Sequence, residues 1–137
     1  MSQVNKDLLR RGWDRTWNQG DMDAIQELYA ADVVLHGAPP GLPPGAEGVK
    51  LVIRGLRAAF PDLHFNSDDL IVEGDKAVNR WSMVGTHKGE YMGIPPTGKQ
   101  VAYAGISIVR IADAKIAEIW NAADQLGLMQ QLGAVPS

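Results

Sequence analysis

The stretch Gly93–Ala112, GIPPTGKQVAYAGISIVRIA, decides between two folds. Its opening fits all but the last position of the phosphate-binding pattern G-x-x-x-x-G-K-[ST]: Gly93, Gly98 and Lys99 fall in place, and Gln100 stands where a hydroxyl is needed. A phosphate loop of that kind must open a helix, because its backbone N–H groups converge on the phosphates at the helix start. Pro95 and Pro96 have no N–H to offer and hold the chain extended. The residues after Lys99 are rich in valine, isoleucine and tyrosine and read as a strand. The segment is therefore a loop joining two strands, and no nucleotide is expected there.

Outward from that loop, the chain runs helices first and strands last. Leu8, Leu9, Trp13 and Trp17 recur at helical spacing and predict an amphipathic first helix ending near Asn18-Gln19-Gly20. Asp21 is the expected N-cap of a short second helix that buries Ala24, Ile25 and Leu28. Asp32 to His36 reads as a brief strand. Val49, Val52, Ile53, Leu56 and Phe60 predict a helix from about Glu47 to Phe60, which Pro61 stops. Strands are expected over about Leu63–Val72, Ala77–Thr86, Gln100–Ile111 and Ile116–Ala122. Glu73-Gly74-Asp75 and Ala112-Asp113-Ala114 supply the tight turns. A helix from about Leu126 to Leu132 closes the chain. Helices segregated from antiparallel strands make an α+β fold, read here as a curved sheet wrapped around a helix.

A length of 137 residues predicts one domain with a genuine core. With no cysteine, disulfides, thiolate nucleophiles and zinc–thiolate sites are excluded. A net charge of −3 offers no basic footprint for nucleic acid. The start MSQVNKDLLRRGW lacks the apolar core of a signal peptide, and no run reaches membrane-span length. A cytoplasmic protein is expected. The Gln100–Ile111 strand is apolar on both faces, more than one cavity needs, so a homodimer through the second face is expected.

Curved sheets of this kind hold pockets, and the chemistry-bearing residues are few. His36, His64 and His87 are well separated, with no H-E-x-x-H, so no metal is expected. No G-x-S-x-G elbow supports a serine nucleophile. Asp124 stands out, because it ends the last strand within the apolar run IAEIWNAADQLGLM. There it is either a desolvated carboxyl suited to proton transfer or the N-cap of the next helix. His87 shares a face with Trp81 and Met83 by period-two alternation. His36 closes the first strand before a proline-rich loop. Trp17 and Tyr103 are further candidates to line the cavity, and of Trp120 and Asn121 a regular strand admits only one.

The sequence resembles the SnoaL-like polyketide cyclases of the nuclear transport factor 2-like superfamily along nearly its whole length. The resemblance is carried by WNQGD (Trp17 to Asp21), FPDL (Phe60 to Leu63), and EGD followed by RW (Glu73 to Asp75, Arg80, Trp81). It continues through GTHKGEYMGIPPTGKQV (Gly85 to Val101), KIAEIWNAAD (Lys115 to Asp124) and QLG (Gln131 to Gly133). It implies a cone-shaped domain whose curved, mostly antiparallel sheet encloses an apolar cavity, commonly paired into a homodimer. In the cyclases a cavity aspartate acts as acid/base for an aldol ring closure without metal or cofactor, and that aspartate falls on Asp124. The cyclases also carry a glutamine and a histidine on the preceding strand. Here that strand, VAYAGISIVR, offers Tyr103, Ser107 and Arg110 instead.

The expectation is therefore a cofactor-free acid/base enzyme acting on a small apolar carbonyl compound. Asp124 and His87 are its catalytic candidates, and His36, Trp17, Trp81, Met83, Tyr103 and Trp120 contact the substrate. Two alternatives remain open at this point. One is an epoxide hydrolase or cofactor-independent hydroxylase of the same fold, for which Arg110 and Asp124 would need a second acid such as Glu118, Asp68 or Asp69. The other is a non-catalytic carrier of a small ligand.

Overall fold

The computed structural model describes residues 6–38 and 40–136. Helix α1 (Lys6–Trp13) runs into one π-helical turn, Asp14–Asn18, and is followed by α2 (Met22–Leu28), strand β1 (Tyr29–His36) and α3 (Ala46–Ala59). Strands β2 (His64–Glu73), β3 (Lys76–Thr86), β4 (Gln100–Ala112) and β5 (Lys115–Ala123) lead to α4 (Gln125–Gln131). One sheet has the order β1-β5-β4-β3-β2, with β1 parallel to β5 and every other pair antiparallel. This is the expected α+β cone.

Local chemistry sets most boundaries. Asp21 caps α2 by accepting from the N–H groups of Asp23 and Ala24. Pro61 ends α3 after Phe60. The β4–β5 turn holds Asp113 and Ala114 at φ of 51° and 63°, the left-handed pair a two-residue hairpin turn requires. The loop between β3 and β4 closes through His87 N–H to Lys99 C=O (2.9 Å) and Gly98 N–H to His87 C=O (2.8 Å). A strand follows Lys99, so the phosphate-loop context is absent.

The π turn is the one departure in the first helix. Asn18 and Gln19 both donate to the Asp14 carboxylate at 2.9 Å, which holds a turn one residue wider than α. Asn18 also clamps the helix to the sheet: its Oδ1 accepts from the Phe65 N–H (2.6 Å) and its Nδ2 donates to the Phe65 C=O (3.0 Å). One amide thus substitutes for a missing strand on that edge of β2. Arg57 on α3 donates to the carbonyls of Trp17 and Asn18, both at 2.8 Å, and satisfies the exposed end of the helix.

Beneath these clamps Ile25, Ile53, Phe60, Ile116 and Leu128 are fully buried. No described helix is long and apolar enough to cross a membrane. Replacing Asn18 by alanine leaves two strand groups of Phe65 without partners, at a cost of about 2 kcal/mol. Urea unfolding of Asn18→Ala is expected to show a lower midpoint with an unchanged slope.

Candidate active site

Strand alternation builds the wall. The β3–β4 register is unbroken from Lys76↔Arg110 to Thr86↔Gln100, so odd-numbered residues of both strands face the helices. Between that concave face and the helices lies a cavity of about 580 Å³. Its wall is aromatic. Trp17 stacks on Phe65 (centroids 5.6 Å), Phe65 on Trp81 (5.9 Å), and Tyr103 meets Trp81 edge-on (5.4 Å). Gly105 makes room for this chain, because a Cβ there would strike the Trp81 ring at 2.5 Å.

Polar groups on the wall are tied in pairs and relays. Trp81 Nε1–H donates to Ser107 Oγ (3.0 Å), which donates to Asn121 Oδ1 (2.7 Å). Tyr103 O–H donates to Gln125 Oε1 (2.8 Å), and Gln125 Nε2 donates to the Tyr91 oxygen (3.0 Å). Burial pushes the Tyr103 phenol up to about 12, helped by the neighbouring Tyr91 and by the charge of Asp124. Tyr29, buried against the Trp13 and Trp17 indoles that hydrogen-bond to it, is also pushed up to about 12 by desolvation. At neutral pH these phenols are uncharged hydrogen-bonding groups.

Trp17, Trp81, Met83 and Tyr103 line the cavity. His36 also lines it, from the end of β1. Its ring stacks on Trp120 (5.2 Å, interplanar 11°), and its Nε2 lies 2.7 Å from Glu118 Oε2. Glu118 is held below the usual carboxylate range, first by that histidine and then by Arg110, whose Nε is 3.1 Å away. Trp120 is a correction, since it is absent from the wall and Ile119, Asn121 and Ala123 take its place. The cause is a register irregularity: Ile111 pairs with Ile116 but Arg110 with Glu118, so the extra residue inverts the faces of β5 beyond it. Arg110 and Glu118 pair with each other beside His36, and neither lines the cavity, which removes both from the set a hydrolase would need there.

His87 is a second correction. It shares the buried face with Trp81 and Met83 as expected, but it is fully buried against Phe60 (5.5 Å) and is not part of the wall. Its Nδ1 accepts from the Thr97 N–H (3.2 Å), so the ring organises the β3–β4 loop. Asp124 is a third. The apolar surroundings expected around it are not there: it is exposed, and it caps α4 by accepting from the Gly127 N–H at 2.9 Å. It nevertheless sits between two wall residues, Ala123 and Gln125, with its charge felt at Tyr103. Among the described residues no cluster of His, Asp and Glu converges as a metal site. Asn121, Gln125, Tyr91 and Asn79 are wall residues that the sequence did not single out as site residues.

The raised phenols carry a pH signature. Unfolded tyrosine ionises near 10, so the stability contributed by burying Tyr29 and Tyr103 is complete below that pH. It is lost as pH rises from about 10 towards the folded value of about 12. Absorbance titration is expected to show tyrosines ionising together with alkaline unfolding, and Asp124→Asn is expected to ease Tyr103 ionisation by removing the nearby charge.

The comparisons with known proteins agree with this architecture. The profile of the family described as SnoaL-like polyketide cyclase matches residues 7–132. Aklanonic acid methyl ester cyclase DnrD of Streptomyces peucetius is 28% identical over 130 residues, covering 93% of this chain and 89% of that protein. The structure of TsrD from Streptomyces laurentii superposes with a TM-score of 0.87 at 31% identity, covering 96% and 99% of the two chains. AclR of Streptomyces galilaeus, a candidate hydroxylase, superposes at 0.81 with 31% identity, covering 96% of this chain and 82% of its own. With its fold and its family profile in agreement over nearly the full length, the chain belongs to the SnoaL-like polyketide cyclase family.

Proposed function

We propose that this protein is a cofactor-free ring-closing enzyme of the polyketide-cyclase type, acting on a flat, mostly apolar carbonyl compound. The observation that carries the reading is the position of Asp124 at the edge of an aromatic cavity, with its charge acting on the wall phenol Tyr103. Capping uses Asp124 Oδ1, and Oδ2 is left to accept a proton from carbon beside a substrate carbonyl. The resulting enolate oxygen takes hydrogen bonds from neutral wall donors, with Tyr103 O–H turning to it from Gln125. The enolate carbon attacks a second carbonyl of the same molecule, and one C–C bond forms. The carbonyl electron pair moves to oxygen, and the alkoxide recovers the proton from Asp124. Proton and electrons balance within the substrate, so the step needs no oxidant, reductant or cofactor. Holding both carbonyls in one shaped cavity supplies the proximity term.

The exposure of Asp124 favours a second reading, a binding protein whose cavity uses neutral groups only. Aklanonic acid methyl ester, the compound named for the Streptomyces peucetius relative, separates the two. Ring closure by the wild-type protein, followed chromatographically, supports the enzyme. Saturable quenching of tryptophan fluorescence without turnover supports the binder. Asp124→Asn is expected to fold normally, because asparagine caps a helix equally well, and to lose about 10²–10⁴-fold in rate. Full activity in that variant would remove Asp124 from the chemistry.

The reading extends to a cytoplasmic homodimer. Val84, Ile106 and Ile108 are exposed on the outward face of β3 and β4, beside Trp120 of β5. A sheet face that exposes these apolar side chains suits an isologous contact with a second copy. Sedimentation is expected to give the mass of two chains for the wild type and of one for Ile106→Glu.

A further inference from the structure

The relay Trp81–Ser107–Asn121 has a fixed direction. An indole N–H can only donate, so Ser107 Oγ must accept from Trp81 (3.0 Å). The hydroxyl then has one proton to place. Among the described residues its only hydrogen-bond acceptor is Asn121 Oδ1, at 2.7 Å. That bond orients the amide, because it consumes the oxygen and leaves the Nδ2 hydrogens on the other side. Asn121 lines the cavity, and no described residue accepts from its Nδ2.

The strands make the relay rigid. Ser107 and Asn121 are direct cross-strand partners, and Trp81 pairs with Gly105, two residues from Ser107 on the same face. The missing Cβ at Gly105 lets the indole lie against β4 with its N–H directed at that hydroxyl. We propose that Asn121 Nδ2 is the cavity's fixed donor to a carbonyl or enolate oxygen of the ligand, with Ser107 and Trp81 as the positioning residues that aim it. This rests on the reading of the cavity as a site for carbonyl compounds, and it names the group that selects them. A preset donor binds an acceptor oxygen at no cost of reorganisation, and it leaves an unpaired N–H against a ligand that lacks one.

The test uses two probes of one shape, 2-acetylnaphthalene and 2-isopropenylnaphthalene, which differ only by C=O against C=CH₂. Dissociation constants come from tryptophan fluorescence quenching. Each protein is scored by its preference for ketone over alkene, and dividing wild-type preference by variant preference cancels the difference in ligand hydration. Asn121→Ala is expected to reduce the preference about fivefold, the effect of one neutral hydrogen bond. Ser107→Ala and Trp81→Phe should each reduce it about two- to threefold, since the amide stays but is no longer aimed. Ser107→Thr keeps the hydroxyl and should restore the wild-type ratio.

A change in packing alone would weaken both probes together and leave the ratio unmoved. Circular dichroism screens each variant for folding, and Trp81→Phe with Ser107→Thr carries the test if Ser107→Ala unfolds. An unchanged ratio in Asn121→Ala, with both probes still bound, overturns the donor and leaves the carbonyl-site reading standing. A loss confined to Asn121→Ala overturns the positioning roles. Failure of the wild type to bind either probe overturns both this inference and the reading beneath it.

Discussion

The site depends on one constraint, the unbroken antiparallel register between β3 and β4. In a pleated pair every second side chain faces the same way, so one register assigns each residue of both strands to the cavity or to the outer surface. Asn79, Trp81 and Met83 face in beside Tyr103, Ser107 and Val109, while Val84, Ile106 and Ile108 face out. A slip of one residue would bring isoleucines into the cavity and place the serine and tyrosine on the outer face. The register thus fixes the shape of the cavity and its polarity together.

Both faces of this pair carry apolar side chains, which one curved layer around one cavity does not require. The inward set holds the aromatic wall, where Trp81, Ser107 and Asn121 form one hydrogen-bonded relay and Tyr103, Gln125 and Tyr91 another. The outward set has no such cover within the chain. A charged cluster crosses its edge, with His36 stacked on Trp120 and Glu118 shared between His36 and Arg110. Such pairs on a partly exposed surface add little stability on their own. Their consequence is geometric, because they hold the end of β1 to β5, where the strands run parallel in register from Val34↔Glu118 to His36↔Trp120.

Much of the fold was legible because its signals are local. Asp21, Pro61, Gly74 and the prolines of the β3–β4 loop act within a few residues of themselves, and each did what its chemistry implies. The regular strand β3 also placed Trp81 and Met83 on one face with His87, as alternation predicts. The misreadings arise where a non-local fact intervenes. Trp120 faces out because of an irregular pairing with β4, and no pattern within β5 reveals that. His87 stays out of the cavity wall, packed on Phe60, which is distant in sequence and itself packs on the wall residue Tyr91. Asn121 was weighed only against Trp120, since a lone amide carries no motif. Its meaning comes from Ser107 and Trp81 on two other strands.

Asp124 shows how local and tertiary demands meet in one side chain. A carboxylate has two oxygens, and helix capping needs one of them. The cap places Asp124 at the strand-to-helix corner, and the same corner puts Ala123 and Gln125 on the cavity wall on either side of it. Gly127 makes that geometry possible, because any side chain there would collide with the carboxylate it caps. The apolar letters around Asp124 in sequence belong to other surfaces: Leu126 is exposed, and Trp120 packs on His36. Desolvation acts instead on the wall residue Tyr103. Within the proposed mechanism this divides the work, with an exposed carboxylate at the edge taking the proton and a buried, neutral phenol inside.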